Sequence, residues 1–221
     1  NWPEMRSYTN IPKRGQVSDS IAIDLIHGYY ATVSYSDALV GKILDALKEQ
    51  GLDKNTIVVL VADHGYNLQE HTQWAKFTNY NTSTQVPLII YNPLANATGS
   101  TDALTALVDV YPTLVEICAL KPPTGQLDGT SLVAVMSNPK SEGKKHVFIK
   151  RGKGFTLKTK DFSYTEFIRP TDNTTVASML YDHRSNKDEN VNVANQKEFA
   201  DVVLELKTTL HTDFKKNIVG E

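Results

Sequence analysis

The sequence predicts an α/β fold: part of a mixed, mostly parallel sheet with flanking helices, followed by a small antiparallel sheet with a terminal helix. Three observations carry this. A long amphipathic stretch over about residues 21–50 leads through a short loop into a β-branched apolar run at 57–62. A run of that kind reads as a strand buried on both faces, and helix, loop, strand is the order of α/β winding. After about residue 138 the character changes to short strand patterns separated by turn residues, the mark of an antiparallel sheet.

The 221 residues suffice for one sizeable core or two small ones. Hydrophobic content of 40% and charged content of 22% are ordinary for a globular chain. A formal net charge of -2 leaves no footprint for nucleic acid or an anionic membrane. No apolar run approaches membrane-spanning length, and the polar, proline-punctuated start shows no secretory leader. The first residue is Asn rather than Met, and the chain is expected to be part of a longer protein. Cys118 is the single cysteine, so no intrachain disulfide forms. In the apolar pattern LVEICAL it is expected to be a buried structural thiol.

In chain order, residues 1–17 read as a loop broken by Pro3, Pro12 and Gly15. Ser18, Asp19 or Ser20 can cap the following helix, and Gly51 can end it. Its stripe of Ile23, Ile26, Tyr30, Val33, Val40, Leu44 and Leu47 is expected to face a core. Asp37 lies on the same stripe, where a carboxylate needs a partner, so an anchor to a backbone amide or a basic group is expected. Tyr29 and Tyr30 read as core packing, and His27 as a helix-surface or packing residue. Beyond the polar segment 63–76, residues 86–91 read as a second buried strand. Residues 109–120 read as a helix with Asp109 near its cap and Pro112 tolerated in its first turn. The charged loop after Asn138 suggests a boundary, giving domains 1–138 and 139–221. Strands are expected at 146–150, 155–160, 164–168 and 179–182. The helix at 195–215 should turn Phe199, Val202, Val203, Leu206 and Leu210 inward. Asn81, Asn96 and Asn173 begin glycosylation acceptor patterns, which are short enough to occur by chance.

The chemistry concentrates in DHGYNLQEHTQWAK, residues 63–76. Ligands of open α/β sheets bind beyond the carboxyl ends of strands. There Asp63 and His64 can offer a carboxylate oxygen and an imidazole nitrogen to one metal ion, and Gly65 lets the backbone turn behind them. By donor type alone this pair suits zinc or manganese better than calcium, which prefers six to eight oxygens. Glu70 and His71 can support the ligands, touch substrate or structure the loop. Tyr66 and Trp74 can line a pocket, and Trp74 can equally pack the loop down.

The string resembles the S-D-H-G-x-x-x-x-E-H-x-x-W-A-K segment of sulfatases in the alkaline phosphatase superfamily, and the iduronate-2-sulfatase branch most closely. The helix leading into it, VPLIIYNP, LVDVYPTLVEICAL and LDGTSLVAVM are similar to sulfatases as well. MLYDHRSNKDENVN resembles their C-terminal subdomain, although His183, Arg184 and the run 187–189 depart from the usual L-Y-D-L-x-x-D-P-x-E and read as a surface turn. The resemblance implies a calcium site using Asp63 and His64, with Lys76 touching sulfate or the leaving oxygen. Lys76, His71, Tyr66 and Trp74 would then meet a sulfated sugar or other sulfate ester.

The resemblance also implies a formylglycine nucleophile made from the Cys or Ser of C/S-x-P-x-R. That motif is absent here, since Cys118 is followed by Ala119, Leu120 and Lys121. The expected partner is therefore a missing N-terminal part of the same enzyme, docked on an apolar face through which the isolated chain would self-associate. The resemblance points to a periplasmic, secreted or lysosomal setting. A metallo-phosphoesterase of the same superfamily and a non-catalytic carbohydrate-binding or packing module are the competing readings. The E-H-x-x-W-A-K tail favours a sulfatase.

Overall fold

The computed structural model describes residues 3–95, 98–125 and 127–214. It divides into two units, Asn1–Asn96 and Ala97–Glu221. Residues 97–138 thus group with the C-terminal sheet. The acceptor pattern at Asn96 and the expected helix end at Lys215 lie outside the described residues.

The first unit runs α1 (Pro3–Ser7), α2 (Asp19–Glu49), β1 (Val58–Val61), β2 (Asn67–Leu68), a 3-10 turn (Glu70–Thr72), β3 (Trp74–Ala75), α3 (Asn81–Thr84) and β4 (Leu88–Tyr91). Ser18 caps α2, its hydroxyl accepting from the Ile21 amide at 3.5 Å. At the far end the Leu52 amide donates to Leu47 O and the Gly51 amide to Lys48 O, with Gly51 at φ 69. This double reverse bond needs a left-handed residue, which glycine adopts without cost.

The stripe on α2 does not face a core in this unit. Ile23, Tyr30, Val33 and Leu44 are exposed, and Ala22 alone in the helix is buried. Asp37 is exposed too, so the buried anchor expected there is not formed. His27 sits on the helix surface as expected. The unit's core is small: Met5, Ile11, Val17, Ala22 and Trp74, flanked by Ile21, Leu25, Ile26 and Leu68. A helix of 31 residues presents more apolar surface than that cluster can cover.

The two apolar runs are neighbours, but antiparallel: Val58 lies opposite Tyr91 and Val61 opposite Leu88. The expected sheet is mixed, and this pair is an antiparallel one. A continuous apolar run reports burial, not direction, and parallel neighbours need a crossover of a dozen or more residues, usually a helix. The connection here carries β2, the 3-10 turn, β3 and the single helical turn α3, with no crossover helix. Ile89 and Tyr91 project into solvent, so neither run is buried on both faces within this unit.

The second unit continues with a 3-10 turn (Leu107–Asp109), α4 (Val110–Ile117) and α5 (Val133–Ser137). Asp109 is fully buried and ties three segments together. Its oxygens accept from the amides of Ala106 (2.9 Å) and Thr130 (2.8 Å) and from Lys144 Nζ (2.9 Å). Cys118 is exposed, which corrects the buried thiol. It lies one residue past the end of α4, whose buried positions are Thr113 and Val115.

The C-terminal sheet is an antiparallel meander of β5 (Val147–Arg151), β6 (Gly154–Lys158), β7 (Phe162–Ile168) and β8 (Thr175–Asp182). A 3-10 turn (Lys197–Phe199), α6 (Ala200–Thr209) and a π-helical turn (Leu210–Phe214) close it. Leu206 and Leu210 enter the core of Phe155, Leu157, Tyr164, Ile168, Leu180 and Val193, with Phe199, Val202 and Val203 packed against it. All five predicted inward residues lie there. The departure at 183–189 is not a plain surface turn: Glu189 is buried and its Oε1 lies 2.9 Å from His183 Nε2.

Leu180 is fully buried, so Leu180→Ala is expected to destabilise the second unit by about 2–5 kcal/mol. Val176→Ala, at an exposed position, should shift stability by no more than ~0.5 kcal/mol. Urea unfolding of the two variants checks the contrast.

Candidate active site

Strand β1 ends at Val61, and the chain then turns away from the sheet. Asp63 is almost wholly solvent-exposed, with 88% of its side-chain surface free, and His64 is 36% exposed. Asp63 Oδ1 accepts from the His64 amide at 3.0 Å, which fixes the carboxylate beside the ring. His64 Nδ1 lies 2.8 Å from Gly65 O. A carbonyl only accepts, so Nδ1 donates to it, and the other ring nitrogen is Nε2. That Nε2 faces Asp63 Oδ2 at 3.5 Å. Two electron-rich atoms of different residues thus converge on one open site, as the sequence predicts.

Gly65 acts by close approach rather than by a left-handed turn. A Cβ there would sit 2.0 Å from Thr82 O. Its amide donates to Ser83 O at 2.9 Å, tying the residue after His64 to α3.

The loop 67–75 is held by a residue that motif reading passes over. Asn67 is fully buried. Its Nδ2 donates to Ala75 O (2.5 Å) and Ser83 Oγ (2.7 Å), with Thr78 Oγ1 at 3.3 Å, and its Oδ1 accepts from Thr82 Oγ1 (2.5 Å). A buried amide satisfied on both ends fixes the pieces it joins. The sequence signal available was one Asn amid hydroxyl residues at 78, 82 and 83, which is too common to single out. Thr82 and Ser83, the second and third residues of the acceptor pattern at Asn81, are both used in this network.

The loop so held is unusual in its backbone. Gln69, His71, Thr72 and Ala75 all have positive φ, at 88, 53, 59 and 66 degrees. Each costs on the order of 1 kcal/mol for a residue with a Cβ, and such residues cluster at functional sites. His71 stacks on Tyr80 with ring centres 4.0 Å apart. Glu70 turns back on the loop, its Oε2 accepting from the Leu68 amide at 2.5 Å, which is a loop-structuring role. Trp74 is 6% exposed and packs with Met5, Ile11 and Val17, so it holds the loop down rather than lining a pocket.

Tyr66 is half-buried and stacks on Tyr29 at 5.2 Å. Its phenol resists ionisation, first through burial and then through the nearby Tyr8, Glu4 and Tyr29. Lys76 is 32% exposed, with Nζ 3.7 Å from Glu4 Oε1 and 5.6 Å from the Phe77 ring centre. The structure therefore joins Asp63 to His64, and places Lys76 on a separate ion pair with Glu4.

Among the described residues no group of three or more His, Cys, Asp and Glu side chains gathers as a metal site. Asp63 and His64 fit a divalent cation as two members of a donor set. The carboxylate supplies oxygen to a hard ion, and an imidazole nitrogen is a donor that zinc or manganese accepts. No helix among the described residues is long and apolar enough to cross a membrane.

Comparison with known proteins fits this arrangement. Residues 4–118 match the family Sulfatase, and residues 69–216 match the family N-sulphoglucosamine sulphohydrolase, C-terminal. A sulfatase of Formosa agariphila is 32% identical over 189 residues, covering 84% of this chain and 36% of that protein. Arylsulfatase K of Bos taurus is 31% identical over 179 residues, covering 75% of this chain and 32% of its own length. The chain thus spans about a third of these relatives. A solved structure in complex with its substrate D-glucosamine-2-N,6-O-disulfate superposes with TM-score 0.77 at 26% identity, over 87% of this chain and 41% of that one. The phosphonate monoester hydrolase of Agrobacterium radiobacter shares the fold at TM-score 0.69 and 24% identity, over 82% and 39% of the two chains. A match over residues 4–118, more than half of the chain, places this chain in the sulfatase family.

Proposed function

We propose that this chain is the C-terminal part of a sulfatase that hydrolyses sulfate esters of sulfated sugars, in the iduronate-2-sulfatase branch. The observation that carries the proposal is the open pair at the end of β1, an exposed Asp63 carboxylate with Oδ2 3.5 Å from His64 Nε2. Calcium is the ion the family resemblance favours, with zinc or manganese as the choices the imidazole donor admits. Asp63 and His64 would hold it together with oxygen donors from sequence outside this chain. When bound, it supplies positive charge toward the sulfate oxygens.

The chain's own residues have three tasks. Lys76 places an ammonium against the negative charge that grows on the sulfate or the leaving oxygen. Tyr66 and His71 offer ring faces to the sugar, and Trp74 keeps the loop seated. The nucleophile, a formylglycine, lies in the N-terminal part of the enzyme. That part docks on the exposed face of α2 and on the open faces of β1 and β4, where Ile23, Tyr30, Ile89 and Tyr91 await cover. The likeness to arylsulfatase K and to the structure bound to a disulfated glucosamine supports a sulfated sugar as substrate. The setting is periplasmic, secreted or lysosomal.

The full-length enzyme is expected to hydrolyse an aryl sulfate far faster than the corresponding phosphate monoester, and Lys76→Ala to lower turnover by roughly a hundred- to thousandfold. A preference for the phosphate ester would instead support the metallo-phosphoesterase reading that the fold also allows. The 221-residue chain alone is expected to show no multiple turnover of the aryl sulfate with calcium supplied. It should also sediment as an associating species, because its docking face stays uncovered; sedimentation velocity checks this.

A further inference from the structure

Lys76 and Glu4 are separated by most of the first unit in sequence, yet they meet. Glu4 belongs to α1, a helix too short to be fixed by its own hydrogen bonds. Other contacts fix it. Met5 is buried beside Trp74, two residues before Lys76. The Arg6 guanidinium donates to the carbonyls of Pro12 and Gly15. Lys13 Nζ donates back to Arg6 O at 2.6 Å, and Ser7 Oγ to Glu4 O at 2.5 Å. The result is a rigid shelf that presents the Glu4 carboxylate to the end of β3.

That carboxylate is not a freely solvated surface charge. Its Oε2 is shut off from water and has no hydrogen-bond partner among the described residues. Lys76 Nζ, 3.7 Å from Oε1, is the cation that faces this carboxylate. The Tyr66 phenol also feels Glu4, but it carries no positive charge. From the lysine's side the need is mutual. Four rotatable bonds end in a point charge, which the Phe77 face at 5.6 Å alone would orient weakly.

We propose that Glu4 is the positioning residue for Lys76, holding its ammonium where charge develops on the sulfate ester. This rests on the role given to Lys76 above. Glu4 touches neither sulfate nor nucleophile and acts through the lysine. Its loss should therefore fall on kcat, where transition-state stabilisation is felt, more than on KM.

The test has two arms. In the 221-residue chain, acylation of individual lysines by an amine-reactive reagent is followed by mass spectrometry. Lys76 in Glu4→Gln should react several-fold faster than in wild type, with Glu4→Asp in between and the other lysines unchanged. In the full-length enzyme, Glu4→Gln should lower kcat about tenfold with little change in KM, and Glu4→Asp should recover part of the loss. Unchanged Lys76 labelling in both Glu4 variants overturns the positioning, as does a wild-type kcat for Glu4→Gln when Lys76→Ala is impaired. A full rate for Lys76→Ala overturns the role of Lys76 itself, and the catalytic part of this inference with it.

Discussion

The site depends on the buried amide of Asn67. It bonds Ala75 on β3 and the hydroxyls of Thr82 and Ser83 on α3. The backbone of Ser83 in turn takes the Gly65 amide, and Gly65 O takes the Nδ1 proton of His64. One satisfied polar group therefore reaches, in three steps, the ring whose other nitrogen faces the Asp63 carboxylate. Removing one partner of such a network strands the others in a dry interior, which costs about 1–3 kcal/mol per unsatisfied group. The four left-handed residues between 69 and 75 add strain that only a fixed surrounding sustains. Trp74 in the small core and Asn67 in its hydroxyl cage are that surrounding.

The same loop separates two kinds of charge chemistry. Asp63 and His64 stand at the open edge, exposed enough to meet an ion from solvent. Lys76 lies at the other end of the loop, paired with the shelf built by α1. The strained turn over residues 69–72 lets a short peptide double back between them, a path that a regular strand or helix would not follow. Rigidity here serves preorganisation: groups already held in place need not be reorganised when charge moves.

Much of this was legible in the sequence. The stripe of Phe199, Val202, Val203, Leu206 and Leu210 placed the terminal helix correctly, because amphipathic spacing and burial coincide there. Asp63 and His64 were legible from their place after an apolar strand. Direction was not: the runs at 57–62 and 86–91 report apolar surroundings and carry no trace of antiparallel pairing. Asp37 and Cys118 illustrate a second limit. Their apolar neighbours promised burial, but Asp37 faces solvent on an uncovered helix and Cys118 falls just past a helix end. Asn67 and Glu4 illustrate a third. Their importance arises from partners far along the chain, and nothing local marks them.

Whether Asp63 and His64 form a donor pair for a divalent cation is read from an anomalous-difference diffraction map of the full-length enzyme soaked with calcium or manganese. A peak is expected within bonding distance of both the Asp63 carboxylate and His64 Nε2, with Nδ1 still bonded to Gly65 O. A peak at other residues only, or His64 Nε2 donating a proton to a protein acceptor while the metal is bound elsewhere, would contradict the donor pair.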